Sequence, residues 1–250
     1  MNPDPKDLLV KLIKCKSVTP NDNGALSVIE DVLNANNFEC ERLPFGSGAE
    51  KVLNLFARLG DKSPHICFAG HSDVVPEGDS KLWEFSPFDG KISNGKIFGR
   101  GAVDMKGSIA SYLSAVIDWI EKNKSFEGSI SFLITGDEEG PAINGTRKVL
   151  DWMEASGQIP DMCIVGEPTN ATKVGDTIKI GRRGSLNGSL TVYGEQGHVA
   201  YPHLALNPFP ILMKMLEPLL GGKLDDGTEN FPPTNASVSY THLRAHETSQ

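Results

Sequence analysis

One imidazole and several carboxylates stand at the ends of apolar runs in this 250-residue chain. In CFAGHSDVVP the run Ile66–Ala69 stops at Gly70, and His71 and Asp73 follow with one residue between them. GRGAVDMKG carries Asp104, FLITGDEEG closes on Asp137, Glu138 and Glu139, and CIVGEPT closes on Glu167. Residues i and i+2 of an extended segment point the same way, so the His-x-Asp spacing presents a ring and an acid together. Mixed nitrogen and oxygen donors suit Zn2+ or a similar divalent ion. A carboxylate has two oxygens, so one acid can bridge two ions roughly 3.5–4 Å apart. Taken singly, each residue has a structural alternative. His71 could be a hydrogen-bonded core histidine, Asp73 a turn residue, Asp104 a helix N-cap, and Glu138 with Glu139 a solvated pair. Four apolar runs, each followed by a ligand-type side chain, argue jointly for a metal site.

The elements that must hold these residues are readable from periodicity. Helical spacing over 5–15, 24–36, 108–121 and 145–154 alternates with strand-like runs over 51–59, 64–69, 129–135 and 161–165. That alternation predicts an α/β domain, a mostly parallel sheet with helices on both faces. Ligands in such sheets bind outside the carboxyl ends of the strands, where the four acidic loops would meet. After Gly184 the pattern changes: SLNGSLTVYG alternates with period two and NPFPILMKMLEPLL is helical, so a smaller α+β domain is expected to begin near Arg183. From about Ala236 neither pattern continues, and the last residues read as a tail unrelated to what precedes them. His242 and His246 stand four apart in that tail with no acid of a matching motif beside them.

Composition excludes some classes. A net charge of −8 argues against a nucleic-acid binder. No apolar run is long enough to span a bilayer, and residues 1–7 lack the signal-peptide pattern, which puts the expected location in the cytoplasm. The four cysteines (Cys15, Cys40, Cys67, Cys163) form no C-x-x-C pair. Cys67 and Cys163 lie in apolar runs, which predicts buried free thiols.

GHSDVVP, GRGAVDMKG, TGDEEG and GEPT resemble the motifs of the dinuclear zinc aminoacylase and carboxypeptidase family, and the similarity covers nearly all of residues 1–235. SVTPNDNG (17–24), DEEGPAINGTRKVLDWM (137–153), GRRGSLNGSL (181–190) and QGHVAYPHLALNP (196–208) resemble more closely the members that act on N-succinyl-LL-2,6-diaminopimelate. The resemblance implies a metal-dependent amide hydrolase with two divalent ions, Zn2+ first and Co2+ as the alternative. It implies that His71 and Glu167 bind one ion, Asp104 bridges both and Glu139 binds the second. Asp73 would fix the His71 ring and Glu138 would be the general base. The Asp104–Met105 peptide would be cis. His198 would reach from the smaller domain into the active site of a homodimer partner. Arg182 and Arg183 either pair with substrate carboxylates or cap the domain junction.

The implied organisation is a catalytic metal-binding domain over 1–182, part of a dimerisation domain over 183–235, and an unrelated tail over 236–250. The family draws the second ion's histidine from further downstream, so this chain is expected to be a truncated form with little activity. Two alternatives stay open: another deacylase or dipeptidase of the same family, such as one resembling acetylornithine deacetylase, or a non-catalytic binding fragment.

Overall fold

The computed structural model describes residues 3–179, 181, 184, 186 and 188–236. Arg182, Arg183, His242, His246 and nearly all of the expected tail lie outside them. The chain divides into two compact units, Met1–Ile178 and Lys179–Gln250.

The first unit is built on a five-stranded sheet. Its strands are β1 (Glu39–Phe45), β2 (Val52–Leu59), β3 (His65–His71), β6 (Ser129–Thr135) and β7 (Met162–Val165), in the order β1-β2-β6-β3-β7. A separate two-stranded hairpin joins β4 (Lys91–Ser93) to β5 (Lys96–Phe98). β3 pairs in parallel with β6 and β7, whereas β2 is antiparallel to both β1 and β6. Only β2 therefore runs against the others. The sheet is mixed by pairing and mostly parallel by direction, and its site-bearing half is wholly parallel.

Helices cover both faces. α1 (Pro5–Lys14), α2 (Ala25–Asn34) and α3 (Gly107–Lys122) pack on one side, and α4 (Thr146–Ala155) on the other. The side-chain alternation of the strands divides the core accordingly. Leu55, Ala57, Phe68, Ile130, Phe132 and Ile134 face the three-helix layer with Leu12, Ile29 and Leu113. Phe56, Cys67 and Leu133 face Val149 and Met153 of α4. α1 starts where the sequence says it should: Asp4 accepts the amide of Lys6 at 2.7 Å, Pro5 opens the first turn, and Lys11 and Lys14 close the last.

β1 carries no clear period in the sequence. It is an edge strand with Pro44 in it, and its side chains are mostly exposed or half-buried, so neither face writes a strong apolar signal. β7 is the opposite edge, and all four of its residues are exposed. Cys163 is consequently exposed, a correction to the expected burial, while Cys67, its partner across the ladder, is buried. All four cysteines are free.

In the second unit α5 (Pro208–Leu220) is capped by Asn207, whose side chain accepts the amide of Phe209. The period-two stretch before it forms no ladder among the described residues; a single bridge joins Glu195 to Leu206. Leu190 and Tyr193 are exposed. Alternation alone does not make a strand where no neighbour takes up its backbone groups. Among the described residues no helix is long and apolar enough to cross a membrane.

Candidate metal centre

Three parallel strands release their chains at one edge of the sheet. β3 ends on His71, which is in register with Thr135 at the end of β6. Beyond Thr135 the chain continues to Glu138 and Glu139, and beyond β7 it reaches Glu167. Asp104 comes from the turn Ala102–Lys106 that leads into α3. Gly101 enters that turn at φ 78°, and a Cβ there would lie 2.6 Å from Val74 Cγ1, so both backbone and space demand glycine. The Asp104–Met105 peptide is cis, as the resemblance implied.

The imidazole of His71 is the buried centre of the cluster. Its Nε2 lies 3.1 Å from Asp104 Oδ1, 3.6 Å from Glu167 Oε1 and 3.8 Å from Glu138 Oε2. Glu139 joins His71 and Asp104 in a second group whose donor atoms all lie within 4.8 Å of one another, and Glu138 and Glu167 make a similar group with His71. Burial lowers the pKa of His71, but the Asp73 carboxylate and carbonyl, with Glu138 and Glu167, outweigh it and leave the ring raised. Glu139 is raised by burial and then by the charge of Asp104. Lys106, two residues after Asp104, gives no relief: its buried ammonium donates to Leu12 O and Cys15 O, both at 2.9 Å, and burial brings it down to about 8. Acids crowded around one imidazole on the solvent side, with their neighbouring cation turned away, fit a divalent ion.

Asp73 meets the His71 ring through its backbone. The Nδ1 of His71 sits 3.0 Å from the carbonyl oxygen of Asp73, and 3.7 Å from its carboxylate. The ring is thus oriented by the backbone of Asp73. Its carboxylate is occupied by the amides of Glu138 (3.1 Å) and Glu139 (3.0 Å) and by the hydroxyl of Thr19. A carbonyl at Nδ1 still sets the tautomer and frees Nε2 for an ion.

The remaining predicted residue, His198, belongs to the second unit, where it is exposed and its Nδ1 accepts the amide of Ala200 at 3.1 Å.

A polar scaffold behind the acids was not assigned from the sequence. Asp137, almost wholly buried, accepts the amides of Ala142, Ile143 and Asn144 at 2.9–3.1 Å. Buried Asn54 accepts the Thr135 hydroxyl at 2.8 Å and donates to Leu43 O and Asn144 O, both at 3.0 Å. Asp137 could have been suspected as an acid directly after a strand; Asn54 left no signal beyond being polar in an apolar run. A cavity of about 430 Å³ lies beside the acids, bounded by Thr19, Val52, Val74, Glu139 and Ile143. Another, of about 370 Å³, lies at the far end of the sheet among Tyr112, Trp119, Phe126 and Met162 and touches none of the cluster.

The edge of the sheet thus gathers one histidine and four acids into groups that could hold a divalent ion. Residues 67–248 match peptidase family M20/M25/M40, and the chain belongs to that family. That match runs on through most of the segment that reads as an unrelated tail. The chain is 56% identical over 240 residues to the succinyl-diaminopimelate desuccinylase of Rhodospirillum centenum, covering 96% of this chain and 62% of that one. It is 54% identical over 237 residues to the same-named enzyme of Parvibaculum lavamentivorans, covering 94% and 60%. It thus spans about three-fifths of the length of these curated relatives. Among solved structures, an M20 family metallo-carboxypeptidase from Sulfolobus solfataricus shares the fold, with a TM-score of 0.55 at 22% identity, covering 66% of this chain and 37% of that one.

Proposed function

We propose that the protein carrying these residues hydrolyses N-succinyl-LL-2,6-diaminopimelate to succinate and LL-2,6-diaminopimelate, a step toward lysine. The observation that carries this reading is the gathering of Asp104, Glu138 and Glu167 around Nε2 of His71 in a chain more than half identical to named desuccinylases. Divalent ions, Zn2+ or Co2+, would polarise the succinyl carbonyl and make a water nucleophile available near neutral pH. His71 and Glu167 would hold one ion, Asp104 would be shared, and Glu139 would hold the second.

Glu138 takes the proton of the attacking water and returns it to the leaving amine nitrogen. Its side chain is part-exposed at the mouth of the cluster, where substrate would arrive, which supports this assignment. Asp73 holds the His71 ring through its carbonyl and the backbone of Glu138 and Glu139 through its carboxylate. Residues 1–182 form the catalytic domain, and 183–235 contribute to dimerisation. His198 of a second subunit would donate to the developing oxyanion, as the resemblance implies. The reaction belongs in the cytoplasm.

The test is turnover at the length of the curated relatives, with N-succinyl-LL-2,6-diaminopimelate compared against N-acetyl-L-ornithine by release of primary amine. Preference for the succinyl substrate, with a loss of about 10²–10⁴-fold in kcat for Glu138→Gln, is the expected result. Equal or greater turnover of the acetyl compound would replace the substrate assignment.

A further inference from the structure

We propose that Thr19 is a positioning residue, whose hydroxyl sets the Glu138–Glu139 pair through the carboxylate of Asp73. The inference rests on the metal-centre reading above but not on the identity of the substrate. The segment around Thr19 is laid against the segment that follows His71. Val74 N donates to Ser17 O at 2.9 Å, Val18 bridges Val74 in parallel, and the Ser17 hydroxyl donates to Ser72 O at 2.7 Å. This extension brings the Thr19 hydroxyl to Oδ2 of Asp73. The same oxygen accepts the amides of Glu138 at 3.1 Å and Glu139 at 3.0 Å, while Oδ1 lies 3.2 Å from the Glu138 amide.

The geometry makes the hydroxyl consequential. A carboxylate turns about its last torsion with little preference, so the donors around it set its rotation. Two adjacent amides on one oxygen fix the peptide planes from which Glu138 and Glu139 project. Thr19 supplies the third donor, from a different part of the chain, and thereby helps to fix the rotation of the carboxylate. The Thr19 methyl also faces the loop: a Cβ built on Gly140 would lie 2.6 Å from Cγ2. Asp137 secures the far end of the same loop through Ala142, Ile143 and Asn144. The acids are therefore set from both sides, and the Thr19 side is the one that a single atom controls.

Thr19→Val removes the hydroxyl and keeps the shape, whereas Thr19→Ser keeps the hydroxyl and loses the methyl. Both variants and the wild-type chain are titrated with Co2+, read by visible absorption and by calorimetry, with folding checked by circular dichroism. We expect Thr19→Val to bind Co2+ about tenfold more weakly, the low end of the loss usual for groups that orient metal ligands, with a changed absorption band. Thr19→Ser should match the wild type in both readouts. Wild-type affinity and spectrum in Thr19→Val overturn the proposal. So does equal weakening in both variants, which would assign the effect to the methyl, and so does loss of the fold in Thr19→Val alone. A wild-type chain that takes up no Co2+ removes the metal centre itself and this role with it.

Discussion

The Nε2 of His71 lies 3.1 Å from Oδ1 of Asp104, although 33 residues separate them. One comes off the end of β3 and the other from the turn before α3, so their meeting is a product of the fold. Glu138 approaches the same nitrogen from the end of β6, and Glu167 from the end of β7.

Neighbours in sequence should divide the labour here. Glu139→Ala is expected to weaken divalent-metal binding by about 10–100-fold, while Glu138→Ala leaves it nearly intact. Metal titration of the two variants side by side checks this. Equal loss in both would mean that Glu138, which forms its own group with His71 and Glu167, is a ligand too.

Under the proposed roles, one ion has His71, Glu167 and Asp104, the three protein ligands usual at a catalytic zinc. Among the described residues, the other has Asp104 and Glu139. The 250-residue chain should therefore hold about one Zn2+ through dialysis and show little turnover. Metal analysis and an amine-release assay on the same sample test both parts, and two retained ions with robust turnover would refute the account.

His65 should make stability depend on pH. Burial and then the charge of Arg58 lower its pKa from the usual value near 6.5. The folded chain thus binds fewer protons than the unfolded one, so this contribution is intact above about pH 6.5 and declines as pH falls below it. His71 shifts the other way, so the informative quantity is the difference between wild type and a His65→Gln variant. Melting temperatures measured from pH 7.5 to 5.5 should converge as the pH falls; parallel curves would show that the ring is not titrating in that range.

Cys163 should be the reactive thiol. It is exposed at the sheet edge, opposite Cys67 in the ladder, and the neighbouring Cys67 thiol lowers its pKa. Burial instead raises Cys15, and it pushes Cys40 up to about 11. Limited alkylation at pH 7.5 followed by peptide mapping should label Cys163 first. Faster labelling of Cys40 would contradict the assignment.

What the sequence revealed follows from how far each signal must reach. His71, Glu138, Glu139 and Glu167 were legible because each follows an apolar run, and a parallel sheet sends all such ends to one edge, whereas Asp104 follows no strand of that sheet and comes from the turn Ala102–Lys106 before α3. The contacts that orient them were not. The partner of Thr19 is 54 residues away, and Asn54 holds Thr135 across 81 and Asn144 across 90. No local pattern encodes pairs at those separations. For Asp73 the spacing sets which way the residue faces and not which of its oxygens meets the His71 ring, and it is the carbonyl that does. β1 escaped notice because an edge strand buries too little to show a period.

Lys106 ties the last carbonyls of α1 to the turn that holds Asp104, and the Ser114 hydroxyl donates to Pro3 O at 2.8 Å. Chain starts are ordinarily the places where trimming, tags and proteolytic nicks do least harm. Here a cut between Leu12 and Thr19 would sever the support of the sheet edge that gathers the acids, more than fifty residues before Asp73. Cleavage in that short span would loosen the distant acids without touching any of them.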